Sequence, residues 1–136
     1  MRIGFPLAAW LILAAAPAVR AQSKPADAIA AQVTFPAGER GRLAHQWFDA
    51  YNGGAEAAYR KFMETNAETG DTPIDARVER FGQMRHNLGN LTLLDAKETA
   101  DGIELKVRTA KGDEGTVTVM IGATPPFKFQ AVRVEI

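Results

Sequence analysis

The chain has 136 residues, 46% of them hydrophobic, with 16 basic and 16 acidic side chains and a formal net charge of zero. That length suits one domain able to bury a core, and so balanced a charge gives no electrostatic grip on nucleic acid or an anionic membrane surface. With no cysteine, disulfides, thiolate metal sites, covalent haem attachment, a cysteine nucleophile and a lipid-modified cysteine are all excluded.

Met1 and Arg2 lead into an apolar run, Ile3 through Val19, that closes on the small residue Ala21. One early positive charge, an apolar centre and a small-residue exit predict a secretory signal peptide cut after Ala21, and hence an exported protein, periplasmic or secreted. Pro6 and Pro17, and a run short of the roughly 20 residues a spanning helix needs, argue against an uncleaved anchor. Removing residues 1–21 takes Arg2 and Arg20, so 14 basic residues face 16 acidic ones, and no later segment approaches membrane length. Without disulfides, such an exported domain rests on its apolar core alone.

Residues 22–34, Ala-rich with Lys24, Pro25 and Asp27, predict a flexible tether ahead of a single domain over 35–136. Pro36 sits where a first helical turn tolerates proline; Leu43, Trp47, Ala50 and Tyr51 then recur at helical spacing, and Gly53-Gly54 supplies the stop. A second helix carries the stripe Ala55, Ala58, Tyr59, Phe62 and Met63, with Glu56 in the favourable first turn. Asn66 to Asp71 reads as a polar loop. Thr72-Pro73-Ile74-Asp75 predicts a third start, with Thr72 as cap, Pro73 at the first position and Asp75 three residues after the cap. Ile74, Val78, Phe81 and Leu88 mark its buried face, and Gly89 is expected as a left-handed end.

After Gly89 the apolar period changes from helical to alternating. Leu91 to Thr99 reads as a strand, and Asp101-Gly102 as a tight hairpin. Ile103, Leu105 and Val107 alternate with Glu104, Lys106 and Arg108; after a turn over Lys111–Gly115, Val117, Val119 and Ile121 alternate with Thr116 and Thr118. Pro125-Pro126 makes the last turn. The final strand points Phe127, Phe129 and Ala131 inward and then switches to Val132, Val134 and Ile136, which requires a bulge near Ala131 or burial of both faces. Helices segregated from strands predict an α+β fold: three N-terminal helices packed on one face of a curved four-stranded antiparallel meander.

This order, with the stretches Leu43-Ala44-His45-Gln46-Trp47-Phe48-Asp49-Ala50-Tyr51-Asn52-Gly53-Gly54 and Arg85-His86-Asn87-Leu88-Gly89-Asn90-Leu91-Thr92-Leu93, resembles the cone-shaped nuclear transport factor 2-like (cystatin-like) superfamily. Within it the chain looks like the small domain that precedes the catalytic unit in many secreted bacterial tail-specific serine peptidases and β-lactamase-like hydrolases. The resemblance covers roughly Pro36 to Ile136, and its motifs mark a helix end and a helix-to-strand turn, so they speak for fold more than activity. Members usually place a strand between their early helices, which the segment Asn66–Asp71 does not suggest. No hydrolase follows in this sequence, so the resemblance carries no peptidase activity.

The constellations that could hold chemistry are sparse. His45 and Asp49 stand four apart but off the buried stripe, as does His86, and two histidines without a third ligand make a poor zinc site. Tyr51 and Tyr59 with Asp95 invite comparison with ketosteroid isomerase-like relatives, whose carboxyl must be desolvated; the inward positions of the second and third strands hold no acid. Ser23, the single serine, lies in the tether, and Gly38 and Gly41 lack the rest of a phosphate-loop fingerprint. No catalytic residue, metal site or cofactor is expected. Trp47, Tyr51, Phe81 and Phe129 could frame an apolar pocket or simply fill the core. The expectation is an exported, non-enzymatic binding domain, foremost a protein-interaction module using a sheet edge or the outward sheet face. Its partner would be a protein, such as an exported hydrolase. A carrier of a small apolar ligand comes second and an isomerase-type enzyme third.

Overall fold

The structure, a computed structural model, describes residues 33–68, 70 and 72–136. The expected signal peptide (1–21) and all of the expected tether (22–34) except Val33 and Thr34 lie outside the described residues. Three helices come first: α1 (Glu39–Gly53), α2 (Glu56–Asn66) and α3 (Ile74–Leu88). Four strands follow: β1 (Thr92–Glu98), β2 (Gly102–Arg108), β3 (Glu114–Ile121) and β4 (Phe129–Glu135). They pair antiparallel in the order β1-β2-β3-β4, so the fold is α+β with an uninterrupted meander.

Alternation decides which face of the sheet is dry. Ile103, Leu105 and Val107 of β2 and Val117 and Val119 of β3 are completely buried, whereas Lys106 and Arg108 between them are exposed. α1 lies over β2 and β3, and α2 packs against both of the other helices. Leu43, Ala44, Trp47 and Tyr51 of α1, Tyr59, Phe62 and Met63 of α2, and Val78 and Phe81 of α3 join the inward strand residues in one apolar cluster. Burying a side chain of this size contributes about 1.5–3 kcal/mol, and this is the main source of stability in a chain without cross-links.

The helix ends depart from expectation. α1 begins at Glu39, three residues beyond Pro36, with Gly38 at the N-cap, and Gly54 closes it in the left-handed conformation (φ 75°, ψ 0°). At α3 it is Pro73 that occupies the N-cap, and no side chain caps the helix. Thr72 therefore does not cap, and Asp75 is drawn instead to α2, accepting a 2.7 Å bond from Arg60 Nη1. Gly89 has the expected positive φ of 68°, but its ψ of −154° is extended, which sends the chain directly toward β1. Ala55 and Ala58 are exposed, so Tyr59, Phe62 and Met63 alone form the buried stripe of α2.

Two bulges set the register of the sheet. Between β3 and β4, Met120 faces Ala131 while Ile121 faces Phe129, leaving Gln130 as the extra residue. This parity change next to Ala131 lets Phe129, Val132 and Val134 share the inner face. Ala131, expected inward, is exposed on the outer face, and the strand begins at Phe129 rather than Phe127. In β1, Leu93 faces Val107 and Asp95 faces Lys106, so Leu94 is the extra residue. The β1–β2 loop comprises Thr99, Ala100 and Asp101, with Gly102 already in β2, and β3 takes in Glu114 and Gly115, which read as turn. Asn66–Asp71 is not simply a polar loop: Asn66 ends α2, and the buried Ala67 forms a single parallel bridge with Phe129.

Candidate functional site

Trp47 and Tyr51 stand one turn apart on the sheet-facing side of α1, and Phe81 comes from α3. Their rings touch in series: Trp47 stacks on Tyr51 at 5.3 Å, Tyr51 meets Phe81 edge-on at 5.9 Å, and Phe81 stacks on Tyr59 at 4.1 Å. Phe129 belongs to a separate pair, edge-on to Phe62 at 5.6 Å with the Arg77 guanidinium above its ring. The polar tips of the set are used internally. Trp47 Nε1 donates to the Tyr59 hydroxyl at 3.0 Å, and the Tyr51 hydroxyl donates to the Gly89 carbonyl at 2.8 Å. Burial pushes the Tyr59 phenol up to about 12, and burial likewise raises that of Tyr51, with Arg85 pulling the other way.

Of the four residues singled out from the sequence, Phe129 also borders a cleft of about 100 Å³ between α2, α3 and β4, shared with Tyr59, Met63, Met84, Arg77 and Val132. A larger, open recess of about 440 Å³ is formed by the run from Val33 to His45 and involves none of the four. His45 stacks on Phe35 at 4.5 Å and approaches Asp49 at 3.4 Å, with both polar groups exposed. Among the described residues no group of three or more His, Asp or Glu side chains converges as a metal site. Tyr51, Tyr59 and Asp95 are not brought together: the β1 bulge sets Asp95 opposite Lys106 on the outer sheet face, away from both phenols.

The two stretches that carried the family resemblance meet in space. Asn52 at the end of α1 pairs with Leu91 as one amide with another, donating to its carbonyl and accepting from its N–H, both at 2.9 Å. Arg85 Nη1 donates to the Tyr51 carbonyl at 3.1 Å and to the Asn90 side-chain oxygen, and its guanidinium lies over the Tyr51 ring. The motif residues thus bolt the end of α1 to the α3–β1 turn. Arg40 plays the corresponding part at the other end of α1. It donates to Glu98 Oε2 at 3.0 Å and to the carbonyls of Thr99, Ala100 and Ile121, each at 3.1 Å, with only 10% of its side chain exposed. Sequence reasoning missed both roles, because the partners of Arg40 lie 58 to 81 residues away.

The sheet has two unlike outer surfaces. Its face away from the helices is a charged lattice, with Lys97–Glu104 at 3.4 Å, Arg108–Glu114 at 2.6 Å and Arg133–Asp101 at 3.6 Å. Its β4 edge differs along its length. The start is covered, since Glu68 N donates to the Phe129 carbonyl at 2.8 Å and Arg77 Nη1 to the Gln130 carbonyl at 2.9 Å. From Ala131 onward no hydrogen bond reaches that edge among the described residues. The large hydrophobic side chains exposed among the described residues, Val134 (36%) and Ile136 (47%), lie at this uncovered end.

The molecule belongs by architecture to the α+β class, with an unpaired, partly apolar sheet edge as its most distinctive surface. Comparison with known protein families, with curated proteins and with solved structures finds no match for this chain.

Proposed function

We propose that this chain is an exported, non-catalytic binding domain of the nuclear transport factor 2-like superfamily whose working surface is the free edge of β4. The observation that carries the reading is the coincidence of unpaired backbone along the end of edge strand β4 with the exposed side chains of Val134 in it and Ile136 just beyond it. Such an edge accepts a strand from a partner: main-chain hydrogen bonds supply affinity and alternate side chains supply selectivity. The charged outer face of the sheet offers no comparable apolar contact. The order of helices and strands supports the superfamily assignment, as does the bridge at Ala67, which stands where members usually carry a strand between their early helices.

The partner is an exported protein that presents an extended segment, and the resemblance to leading domains of exported hydrolases makes a hydrolase the first candidate. A small apolar ligand is less well served. The cleft beside Phe129, at about 100 Å³, is well below the roughly 300–1,000 Å³ of ordinary ligand pockets, and the Trp47 and Tyr59 polar groups bond each other rather than a guest. Affinity capture from the exported fraction, with tagged protein and its Val134→Lys variant as control, tests the reading. The native protein should retain a defined protein that the variant loses while melting normally; equal retention by both, or recovery of a small molecule alone, would contradict it.

A further inference from the structure

We infer that, while no partner strand is bound, the strand completing this edge is β4 of a second copy, paired antiparallel about a two-fold axis through Val134; this rests on the proposal that the β4 edge is the interaction surface. Directly opposed residues in an antiparallel pair lie on the same face of the sheet. An axis at Val134 sets Val134 opposite Val134 of the second copy, Val132 opposite Ile136, and Arg133 opposite Glu135. Every inner-face pair is then apolar and every outer-face pair joins opposite charges. No other register achieves this. An axis at Arg133 or at Glu135 opposes that charge to itself. An axis between residues sets inner side chains against outer ones, which the pleat forbids. An axis at Val132 requires the edge at Gln130, where Arg77 already donates to the carbonyl.

The charged groups involved already make long, exposed contacts within the chain, which pairing across the axis would replace. Arg133 and Glu135 are 50% and 67% exposed and only 4.0 Å apart, with Asp101 at 3.6 Å from Arg133. The end of the strand is firmly seated on β3, because Gly115 leaves room for it: a β-carbon there would stand 2.5 Å from the Glu135 carbonyl oxygen. A pairing of five residues from each copy, Val132 to Ile136, buries little area, so the dimer is a concentration-dependent one at the small end of specific interfaces.

Charge reversal tests the register. Sedimentation equilibrium of the purified protein should show reversible dimerisation. Arg133→Glu and Glu135→Arg alone should each raise the dissociation constant at least about tenfold, because each places like charges opposite one another twice. Mixing the two variants should restore association as a heterodimer, as should combining both changes in one chain; restoration also establishes that the variants are folded. Native protein that stays monomeric at every concentration, or variants that dimerise as it does, would overturn the inference. In that event, capture of an exported protein that Val134→Lys loses would leave the edge reading standing, whereas failure to capture would remove both.

Discussion

Tyr59 is 3% exposed, its hydroxyl accepts the Trp47 N–H, and its pKa is pushed up to about 12 from the usual 10.0. Below about pH 10 the phenol is protonated in both folded and unfolded chains and leaves stability unchanged. Between 10 and 12 the unfolded chain releases the proton while the fold keeps it, so stability falls by about 3 kcal/mol over that window. Tyr51 and Tyr59 are the chain's two tyrosines, and both are shifted upward. Ultraviolet titration should therefore show less tyrosinate at pH 10 in the folded protein than in the unfolded chain, with Tyr59 ionising only toward pH 12; equal titration of the two states would refute the buried placement. Tyr59→Phe strands the Trp47 N–H, lowering stability at neutral pH by about 1–3 kcal/mol while flattening the alkaline decline, both readable from urea melts across pH. Arg40→Ala removes the donor to three carbonyls and to Glu98 and should cost about 2 kcal/mol in urea unfolding. Arg42→Ala, which loses only the two exposed bonds to Glu39, should leave the same melt nearly unmoved.

At the scale of the element, the end of α1 and the start of β1 are held by Asn52 and Leu91. Asn52→Leu should loosen this joint, and hydrogen exchange at Leu91 and along β1 should accelerate relative to β2 and β3; uniform exchange would show that the amide pair is dispensable. The elements themselves were legible because their signals are local. The stripe Leu43, Trp47, Tyr51 and the alternation of Ile103, Leu105 and Val107 come from residues close in sequence, and the parity change in β4 called for a bulge near Ala131 or burial of both faces, of which the strand has the bulge, at Gln130. Ends were less legible because distant partners decide them. Thr72 and Asp75 have the spacing of a capping pair, yet Asp75 pairs with Arg60 of the neighbouring helix. Ala67 looked like loop because its bridge depends on Phe129, 62 positions later in the chain. Asp95 could have faced either way until the extra residue Leu94 set the register.

For the molecule as a whole, the aromatic residues were legible as a group but not in their role. Their spacing marks a buried face equally well whether they fill a core or line a pocket. The hydrogen bond between Trp47 and Tyr59, which joins two helices, was needed to see that their polar tips face each other. The β4 edge could be read from the meander order, while the confinement of apolar exposure to its far end depended on the cover supplied by Ala67, Glu68 and Arg77. Export remains the proposal drawn from residues 1–21, and it predicts that the protein recovered outside the cytoplasm begins at Gln22 by intact mass; a chain retaining Met1 there would contradict cleavage.

The central claim is that β4 works by receiving a strand. Site-resolved hydrogen exchange of Val132 to Ile136 tests it most directly, in dilute protein, at high concentration and with the exported fraction added. The edge amides should exchange freely in dilute protein and become protected, alone among the strand termini, when a second copy or a partner is supplied. Exchange that stays equally fast under all three conditions would contradict the account.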